Sequence, residues 1–329
     1  MQYIAGIDIG GTKMAVSIAD RNGPLVRIAE ATVKLGTPRA PAEQAVSMLR
    51  SACERIGISL SELGAVGVSS CGPFVKHGGL IHLVAPNICG GIGNRGDLLN
   101  DWESVPLEQV LREHFTHVAI QNDCVAALAA ERAFGALHNE DNCAYVTWST
   151  GIGFGLCVDG RLLHGKNGNA GHAGHMLLTD QSQAQCGCGN YGDTEALASG
   201  RNLEVQYGRS PEELFNAVKE GDVHAHAAVV HAAKWFGRAL YNVTATLDLR
   251  VFAIGGSIWH HHGDWLEPIV REEICSHLPA LTQGVQLIRP ALDAHVADAG
   301  ALYLVMPDDW VADWRQLSLW DRIAETEME

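Results

Sequence analysis

The feature that most constrains the fold is a strand–turn–strand pattern that occurs twice. Residues 7–20 read IDIGGTKMAVSIAD, and residues 146–160 read VTWSTGIGFGLCVDG. Each segment joins two short, apolar, β-prone runs through a glycine turn, and each is followed by alternating strand and helix patterns. The repetition predicts an α/β protein whose two related halves flank a cleft.

The rest of the chain predicts the elements of both halves. Strands are predicted at 3–8, 13–19, 25–35, 65–73, 117–121, 144–148, 152–160 and 251–256. Helices are predicted at 40–57, 105–115, 124–137, 223–249, 264–276 and 294–306. We expect an N-terminal domain at 1–121 with the helix 294–306 packed back on it, a C-terminal domain at 122–293, and a tail at 307–329. The tail carries Trp310, Trp314 and Trp320, and its packing on the body is favoured over contact with a partner subunit.

Length and charge limit the class of protein. A chain of 329 residues predicts two domains, and a net charge of −15 argues against a nucleic-acid partner. The N-terminus lacks the pattern of a signal peptide, and no run of eighteen apolar residues predicts a membrane span. Nine scattered cysteines do not form a disulfide framework. We therefore expect a cytoplasmic protein with reduced thiols.

Glycine turns follow three of the predicted strands, at Asp8–Thr12, Ser149–Gly153 and Ile254–Ser257. A glycine has no Cβ, so a phosphate group can approach the backbone N–H groups closely. One such turn is weak evidence, because hairpins rich in glycine are common. Three turns in one chain favour a nucleotide site. None of them matches a P-loop or a G-x-G-x-x-G turn that opens a helix, which disfavours a Walker ATPase and a Rossmann dehydrogenase.

Residues 185–195, QCGCGNYGDTE, follow a segment with two histidines, GHAGHM at 171–176. Redox pairs are usually C-x-x-C, so the C-x-C spacing does not favour a redox site. A structural zinc ion takes four tetrahedral ligands, usually Cys and His, with Cys spacings of about two to four residues. The residues alone leave open a metal site, a redox pair and a loop that happens to hold two cysteines.

Taken together, the motifs resemble the ROK family (repressors, open reading frames and kinases) of the actin-like ATPase and sugar-kinase fold. The resemblance covers nearly all of residues 4–305. It is carried by IDIGGTKMAVSIAD, VAPN (84–87), QNDCVAALAAE (121–131), STGIGFG (149–155), GHAGHM with CGCGNYGDTEALASG, and IGGS. It implies two related actin-like, ribonuclease H-like domains.

The resemblance also implies site residues. Asp123 would be the general base that accepts the proton of a sugar hydroxyl, although the sequence alone would favour a helix cap at this position. Sugar hydroxyls would be bound by Asn87, Asn122, His172, His175 and Glu195. ATP and Mg²⁺ would be held by Asp8, Gly10, Gly11, Thr12, Lys13, Ser149, Thr150, Gly151, Gly255 and Gly256, with Asp8 facing the magnesium through water.

The metal ligands implied by the resemblance are His175, Cys186, Cys188 and Asp193. The last is an aspartate where a cysteine is usual in the family. Carboxylate oxygen also binds zinc, so a structural Zn²⁺ is favoured over a loop that folds without metal. Its role would be to support His175, His172 and Glu195 around the sugar.

Three positions depart from the family pattern and leave the sugar open. Val125 stands where an asparagine is common, Ser149 where a glycine is usual, and His172 where glucose-specific members mostly carry glutamate. Relatives that act on N-acetylmannosamine include members with histidine. We expect an ATP-dependent kinase of the 6-hydroxyl of a glucose-like hexose, with an N-acetylmannosamine or other acylamino-sugar kinase as the alternative. The sequence leaves open whether the donor is ATP or another phosphoryl donor such as polyphosphate.

Two other functions are weighed against the kinase. Only three residues precede Ile4, so the helix-turn-helix of a sugar-responsive repressor is not expected. A non-catalytic sugar-binding protein is disfavoured because Asp8, Asp123 and all three turns are present. The expected partners are a sugar and a nucleotide, and the expected assembly is a homodimer or homotetramer.

Overall fold

The computed structural model describes residues 2–92 and 98–326. Its strands are β1 (Tyr3–Ile9), β2 (Lys13–Asp20), β3 (Gly23–Ala31), β4 (Leu63–Ser70), β5 (Phe74–His77), β6 (Leu80–Leu83), β7 (Val118–Asn122), β8 (Cys143–Trp148), β9 (Ile152–Val158), β10 (Arg161–Leu162), β11 (Val251–Gly255) and β12 (Gln286–Ile288). Its α-helices are α1 (Ala40–Arg55), α2 (Leu107–Arg112), α3 (Asp123–Ala133), α4 (Thr194–Ala198), α5 (Gly200–Tyr207), α6 (Pro211–Lys219), α7 (Val223–Leu247), α8 (Ser257–Cys275), α9 (Pro279–Thr282), α10 (Val296–Tyr303) and α11 (Asp308–Leu317). Short 3₁₀ helices lie at Leu60–Glu62, Ala173–His175, Asp293–His295 and Leu319–Thr326.

The chain divides into two compact units. Unit 1 comprises Met1–Asn139, His164–Ala170 and Ala291–Glu329, and unit 2 comprises Glu140–Leu163 and Gly171–Pro290. The boundary predicted at 121/122 differs from this division, because α3 stays in unit 1. There α3 packs on α10, where Gly300 lies so close to the backbone of Ala126 that a Cβ would stand 2.9 Å from its carbonyl carbon.

Each unit is built on a five-stranded sheet of the same plan. In unit 1 the order is β3-β2-β1-β4-β7, and in unit 2 it is β10-β9-β8-β11-β12. In both sheets the first three strands pair antiparallel and the last two join in parallel. The prediction of two related α/β halves is confirmed. The first two of the predicted glycine turns each join the central antiparallel pair of a sheet, β1–β2 in unit 1 and β8–β9 in unit 2.

Helix α10 lies close against the sheet of unit 1, because the facing strands carry glycine. A Cβ at Gly67 in β4 would overlap the carbonyl oxygen of Ala301, and one at Gly6 in β1 would stand 3.1 Å from the Ala301 Cβ. The helix and the two strands therefore pack backbone to backbone. Interiors packed this closely tolerate little added volume.

The C-terminal segment is part of unit 1 and packs on the rest of that unit, which is the alternative that the sequence favoured. Trp310, Trp314 and Trp320 are all buried in one apolar cluster with Phe134, whose ring stacks on that of Trp320 at 5.3 Å. The Arg315 guanidinium donates to the carbonyl of Ala133 at 2.6 Å and so binds the C-terminal end of α3.

Several elements were not predicted. The hairpin β5–β6, the helices α4, α5 and α6, and the first two turns of α8 lie in segments that the sequence left as loops. Of the predicted irregular excursion at 88–105, residues 93–97 lie outside the described residues. Its described part is held on unit 1 by Asn100, which donates to the carbonyls of Lys34 and Ile88, both at 3.0 Å. Within the described chain, the helices are too short or too polar to span a membrane.

Candidate functional site

The first predicted phosphate turn closes the β1–β2 hairpin in unit 1. The N–H of Gly10 donates to the carbonyl of Lys13 at 3.0 Å, and the Thr32 hydroxyl donates to the carbonyl of Gly10 at 2.8 Å. Thr12 and Lys13 are exposed at the tip. Neighbouring strands of the sheet therefore hold this turn and leave its tip open to solvent.

Asn87, predicted to bind sugar, lies directly against this turn. A Cβ on Gly11 would overlap the Asn87 side-chain amide. The Asn87 Oδ1 atom also lies 3.9 Å from the Cys71 thiol, at the end of β4. Gly11 is thus required for close approach, and the predicted nucleotide and sugar residues of unit 1 are in contact.

Asp123, the predicted base, is the first residue of α3, and Asn122 is its N-cap. The Asn122 Oδ1 accepts from the Cys124 N–H at 3.1 Å, and Asp123 Oδ1 accepts from the same N–H at 2.8 Å. The cap position that the sequence alone suggested for Asp123 is therefore filled by its neighbour. Asn122 is buried, and its Oδ1 already accepts one of the two hydrogen bonds that an amide oxygen can accept.

A group of carboxylates lies around Asp8, at the end of β1. Burial, followed by the charges of Asp298 and Asp123, raises the pKa of Asp8 to about 7. Burial also raises the pKa of Asp123 above its usual value. Ser69 donates to Asp8 Oδ1 at 3.2 Å. Asp8 and Asp123 are therefore close enough to sense each other's charge, as a shared magnesium–phosphate site requires.

The sequence did not identify Asp298 or its partner Arg27. Asp298 is buried in α10, where it accepts from Ser17 at 2.6 Å and from the Arg27 Nε at 3.1 Å. The available signal was one acidic residue within the apolar run AHVADAGALYLVM, since a lone buried carboxylate needs a partner.

The second predicted phosphate turn joins β8 to β9 in unit 2. The Ser149 N–H donates to the carbonyl of Gly151 at 3.0 Å, and Thr150 is exposed. Three further hydrogen bonds tie the turn to α4 and α5: Gly200 N–H to Ser149 O at 2.9 Å, Arg201 N–H to Thr150 O at 3.2 Å, and Ile152 N–H to Glu195 Oε2 at 3.0 Å.

The third turn lies beside the second, at the junction of β11 and α8. Gly256 has a φ of 88°, and a Cβ there would stand 2.5 Å from the carbonyl oxygen of Trp148. Gly255 is equally crowded, because a Cβ would stand 2.7 Å from the Tyr145 hydroxyl. The structure thus brings Gly255 and Gly256 next to the strand that leads into the second turn.

The two histidines of GHAGHM lie near each other, with ring centroids 5.9 Å apart. Among the described residues, the buried Nε2 atom of His172 has no hydrogen-bond partner. Burial, followed by the charge of His175, lowers the pKa of His172 to about 4, so the ring is neutral at pH 7. A buried polar atom without a partner is costly, and a ligand hydroxyl would satisfy it.

The four predicted metal ligands converge. One donor atom from each of His175, Cys186, Cys188 and Asp193 lies within 4.8 Å of the other three. His175 Nδ1 is 3.3 Å from Asp193 Oδ2 and 3.6 Å from Cys186 Sγ, and Cys188 Sγ is 3.5 Å from Asp193 Oδ2. Bonds of about 2.0–2.3 Å to a tetrahedral zinc ion separate its donor atoms by about 3.3–3.8 Å. The donor set and its spacing therefore fit zinc.

Comparisons with known proteins agree over most of the chain. The ROK family model matches residues 4–307. Glucokinase of Aeropyrum pernix is 29% identical over 304 residues, 85% of this chain and 89% of that protein. N-acetylmannosamine kinase of Haemophilus influenzae is 31% identical over 259 residues, 77% of this chain and 79% of that protein. The crystal structure of a ROK hexokinase from Thermus thermophilus has a TM-score of 0.74 at 29% identity, covering 92% of this chain and 97% of the other.

Proposed function

Because this chain belongs to the ROK family and is a sugar kinase, we propose that it transfers the γ-phosphoryl group of ATP to the 6-hydroxyl of a glucose-like hexose. Membership confirms the resemblance read from the motifs and the predicted class of two related actin-like domains. The phosphoryl donor, the position phosphorylated and the sugar itself are the proposed parts.

The observation that carries the proposal is the Asp123 carboxylate. It opens α3, its neighbour Asn122 supplies the N-cap, and burial raises its pKa above the usual value. A sugar hydroxyl is a poor nucleophile at pH 7, so a carboxylate within hydrogen-bond reach must accept its proton as the hydroxyl attacks phosphorus. Asp123 would perform this step.

The glycine turns would hold the nucleotide. Backbone N–H groups and hydroxyls at Thr12, Ser149 and Thr150 would contact phosphate oxygens, and the glycines would let the phosphates approach the chain. Asp8 would hold Mg²⁺ through water, and the ion would neutralise charge on the transferred phosphoryl group. Burial, followed by the charges of Asp298 and Asp123, raises the pKa of Asp8, and a bound Mg²⁺ would favour its ionised form.

The sugar would be bound by Asn87, Asn122, His172, His175 and Glu195. The unsatisfied Nε2 of His172 is the best support, because one sugar hydroxyl would complete its hydrogen bonding. Histidine at this position also favours the second candidate, an N-acetylmannosamine kinase. The 31% identity to the H. influenzae enzyme supports that candidate in the same way.

Zinc would be structural in this proposal. His175, Cys186, Cys188 and Asp193 would bind it, and their fixed positions would hold the loop that carries His172 and Glu195. A cytoplasmic location and a homodimer or homotetramer complete the proposal. None of the nine cysteines, all of which lie among the described residues, forms a disulfide, which is consistent with a reducing compartment.

A phosphorylation screen tests the proposal directly. ADP release would be measured with glucose, mannose, allose, fructose, N-acetylglucosamine and N-acetylmannosamine, with ATP or polyphosphate as donor. The position of the phosphate would be assigned by NMR of the product. We expect a 6-phosphate of glucose or a close relative, made with ATP. Sugar binding without turnover in every combination would instead indicate a non-catalytic sugar-binding protein.

A further inference from the structure

We propose that Glu195 is a positioning residue that links the metal cluster to the second phosphate turn, so that the cluster supports the nucleotide side of unit 2 as well as the sugar side. The metal cluster here means His175, Cys186, Cys188 and Asp193. The contacts are independent of the proposed function, and only the expected effect on ATP rests on it.

The first step runs from the cluster to α4 through Asp193. Its Oδ2 atom faces the other ligands, 3.3 Å from His175 Nδ1 and 3.5 Å from Cys188 Sγ. Its Oδ1 atom accepts from the Ala196 N–H at 2.7 Å and caps α4. Asp193 is fully buried. One carboxylate therefore joins the cluster to the start of the helix that carries Glu195.

The second step runs from the cluster to the turn through Glu195. Its Oε1 atom lies 3.3 Å from the Cys186 thiol, and its Oε2 atom accepts from the Ile152 N–H at 3.0 Å. A Cβ on Gly151 would stand 2.7 Å from Oε2, so the glycine is needed for this approach. Each oxygen of Glu195 thus contacts one of the two sites that it joins.

The third step is the backbone that follows Glu195. The Gly200 and Arg201 N–H groups donate to the carbonyls of Ser149 and Thr150 at 2.9 and 3.2 Å. The Trp148 indole donates to the carbonyl of Ala198 at 2.8 Å. Both ends of the segment from Glu195 to Arg201 are therefore hydrogen-bonded to the second turn: Glu195 at one end, and Gly200 and Arg201 at the other. Displacement of the cluster would be passed to the backbone groups that are predicted to bind phosphate.

Amide hydrogen exchange of the full chain tests this link without any turnover. Exchange would be followed at residues 149–152 and, as the internal control, at residues 9–13 of the first turn. Four samples would be compared: the zinc-loaded protein, the chelator-treated protein, and zinc-loaded Glu195→Ala and Glu195→Gln. Elemental analysis would give the metal content of each.

We expect chelation and Glu195→Ala each to raise exchange at 149–152 several-fold, because the Ile152 N–H loses its acceptor or the acceptor loses its support. Exchange at 9–13 should stay unchanged. Glu195→Gln should stay near the native rate, because its amide oxygen still accepts from Ile152. Unchanged exchange at 149–152 in the chelated protein or in Glu195→Ala would overturn the link. If Glu195→Ala fails to fold and exchanges fast everywhere, the chelation arm decides.

Kinetics separates this role from sugar binding alone. Within the proposed function, Glu195→Ala should raise the KM for ATP about tenfold as well as the KM for sugar, the effect of losing one charged hydrogen bond. Glu195→Gln should have a KM for ATP close to that of the native protein. A raised sugar KM with a native ATP KM would show that Glu195 contacts only the sugar. A protein that is inactive with every sugar would refute the proposed function and leave the exchange result standing.

Discussion

The two turns that are predicted to bind phosphate close equivalent hairpins, yet they are held in different ways. The turn at Gly10 and Gly11 is tied to its own sheet, through the carbonyl of Lys13 and the hydroxyl of Thr32. The turn at Ser149–Gly151 is tied to α4 and α5, which follow the metal cluster and lie some distance along the chain. The same hairpin can therefore be fixed by its own β-sheet in one unit and by two helices in the other.

The two turns also share one structural feature. In each, a glycine lets a residue predicted to bind sugar lie against the backbone: Asn87 at Gly11, and Glu195 at Gly151. In unit 1 the contact is packing of an amide, whereas in unit 2 it is a hydrogen bond to a carboxylate. A substrate that moved the side chain of Asn87 or Glu195 would therefore also shift the backbone of the turn beside it.

The largest expected effect is on kcat, and it comes from Asp123, which does not hold either turn in place. Asp123→Asn should lower kcat by about 10² or more, because an amide cannot accept the proton. Sugar binding should stay within roughly tenfold, since both turns remain. In the native enzyme, activity should fall as pH falls through the raised pKa of Asp123, because only the ionised base is active. Near-native kcat in the variant would make Asp123 a helix residue with no role as base.

Loss of the metal should loosen the second turn, at Ser149–Gly151, and leave the first turn, at Gly10 and Gly11, unchanged. Cys186→Ser should lose the zinc and raise the sugar KM by about 10–100-fold, because His175, His172 and Glu195 lose their common support. Asp193→Cys should keep or strengthen zinc binding, since a thiolate is the softer ligand. Cys275→Ser, at an exposed cysteine, is the matched control. Less than a tenth of an equivalent of zinc in fully active native protein would mean that the loop folds without metal.

Part of the pH dependence of stability should come from Asp8, at the start of the first turn. The pKa of Asp8 is about 7 in the folded protein and about 3.8 in the unfolded chain, so the folded state retains the proton over this range. The free energy of unfolding should therefore fall as pH rises from about 4 to 7. Asp8→Asn should make this fall smaller by about 1–3 kcal/mol, whereas Asp264→Asn, at an exposed site, should not. Identical pH profiles of native protein and Asp8→Asn would place the charge cost elsewhere.

The smallest effect concerns the choice of sugar. His172→Glu should raise kcat/KM for glucose relative to acylamino sugars by about 1–2 kcal/mol, the scale of one rearranged charged hydrogen bond. A carboxylate accepts hydrogen bonds only, whereas a neutral imidazole donates one and accepts one. An unchanged sugar profile would place specificity in the excursion at 88–105, whose described part is held on unit 1 by Asn100.

The sequence predicted the features that are determined by residues close together in the sequence. Glycine turns, alternating strands and the buried tryptophans of the C-terminal segment each follow from local pattern. The link from Glu195 to Ile152 joins residues 43 positions apart, and the pairing of Arg27 with Asp298 joins residues 271 apart. Pattern cannot show which distant N–H a carboxylate meets. Helices α4 to α6 were missed because glycines and polar residues in this region resemble a loop.

The arrangement of unit 1 has a consequence for the order in which the protein is made. Helix α10 packs on β1, β4 and α3, and Arg315 and Trp320 fix the far end of α3. All of these contacts come from residues that leave the ribosome after unit 2 is complete. Domains generally fold as units during synthesis, so unit 2 can finish while unit 1 still lacks a helix of its core. We therefore expect the half that carries Asp123, although it is begun first, to become native last.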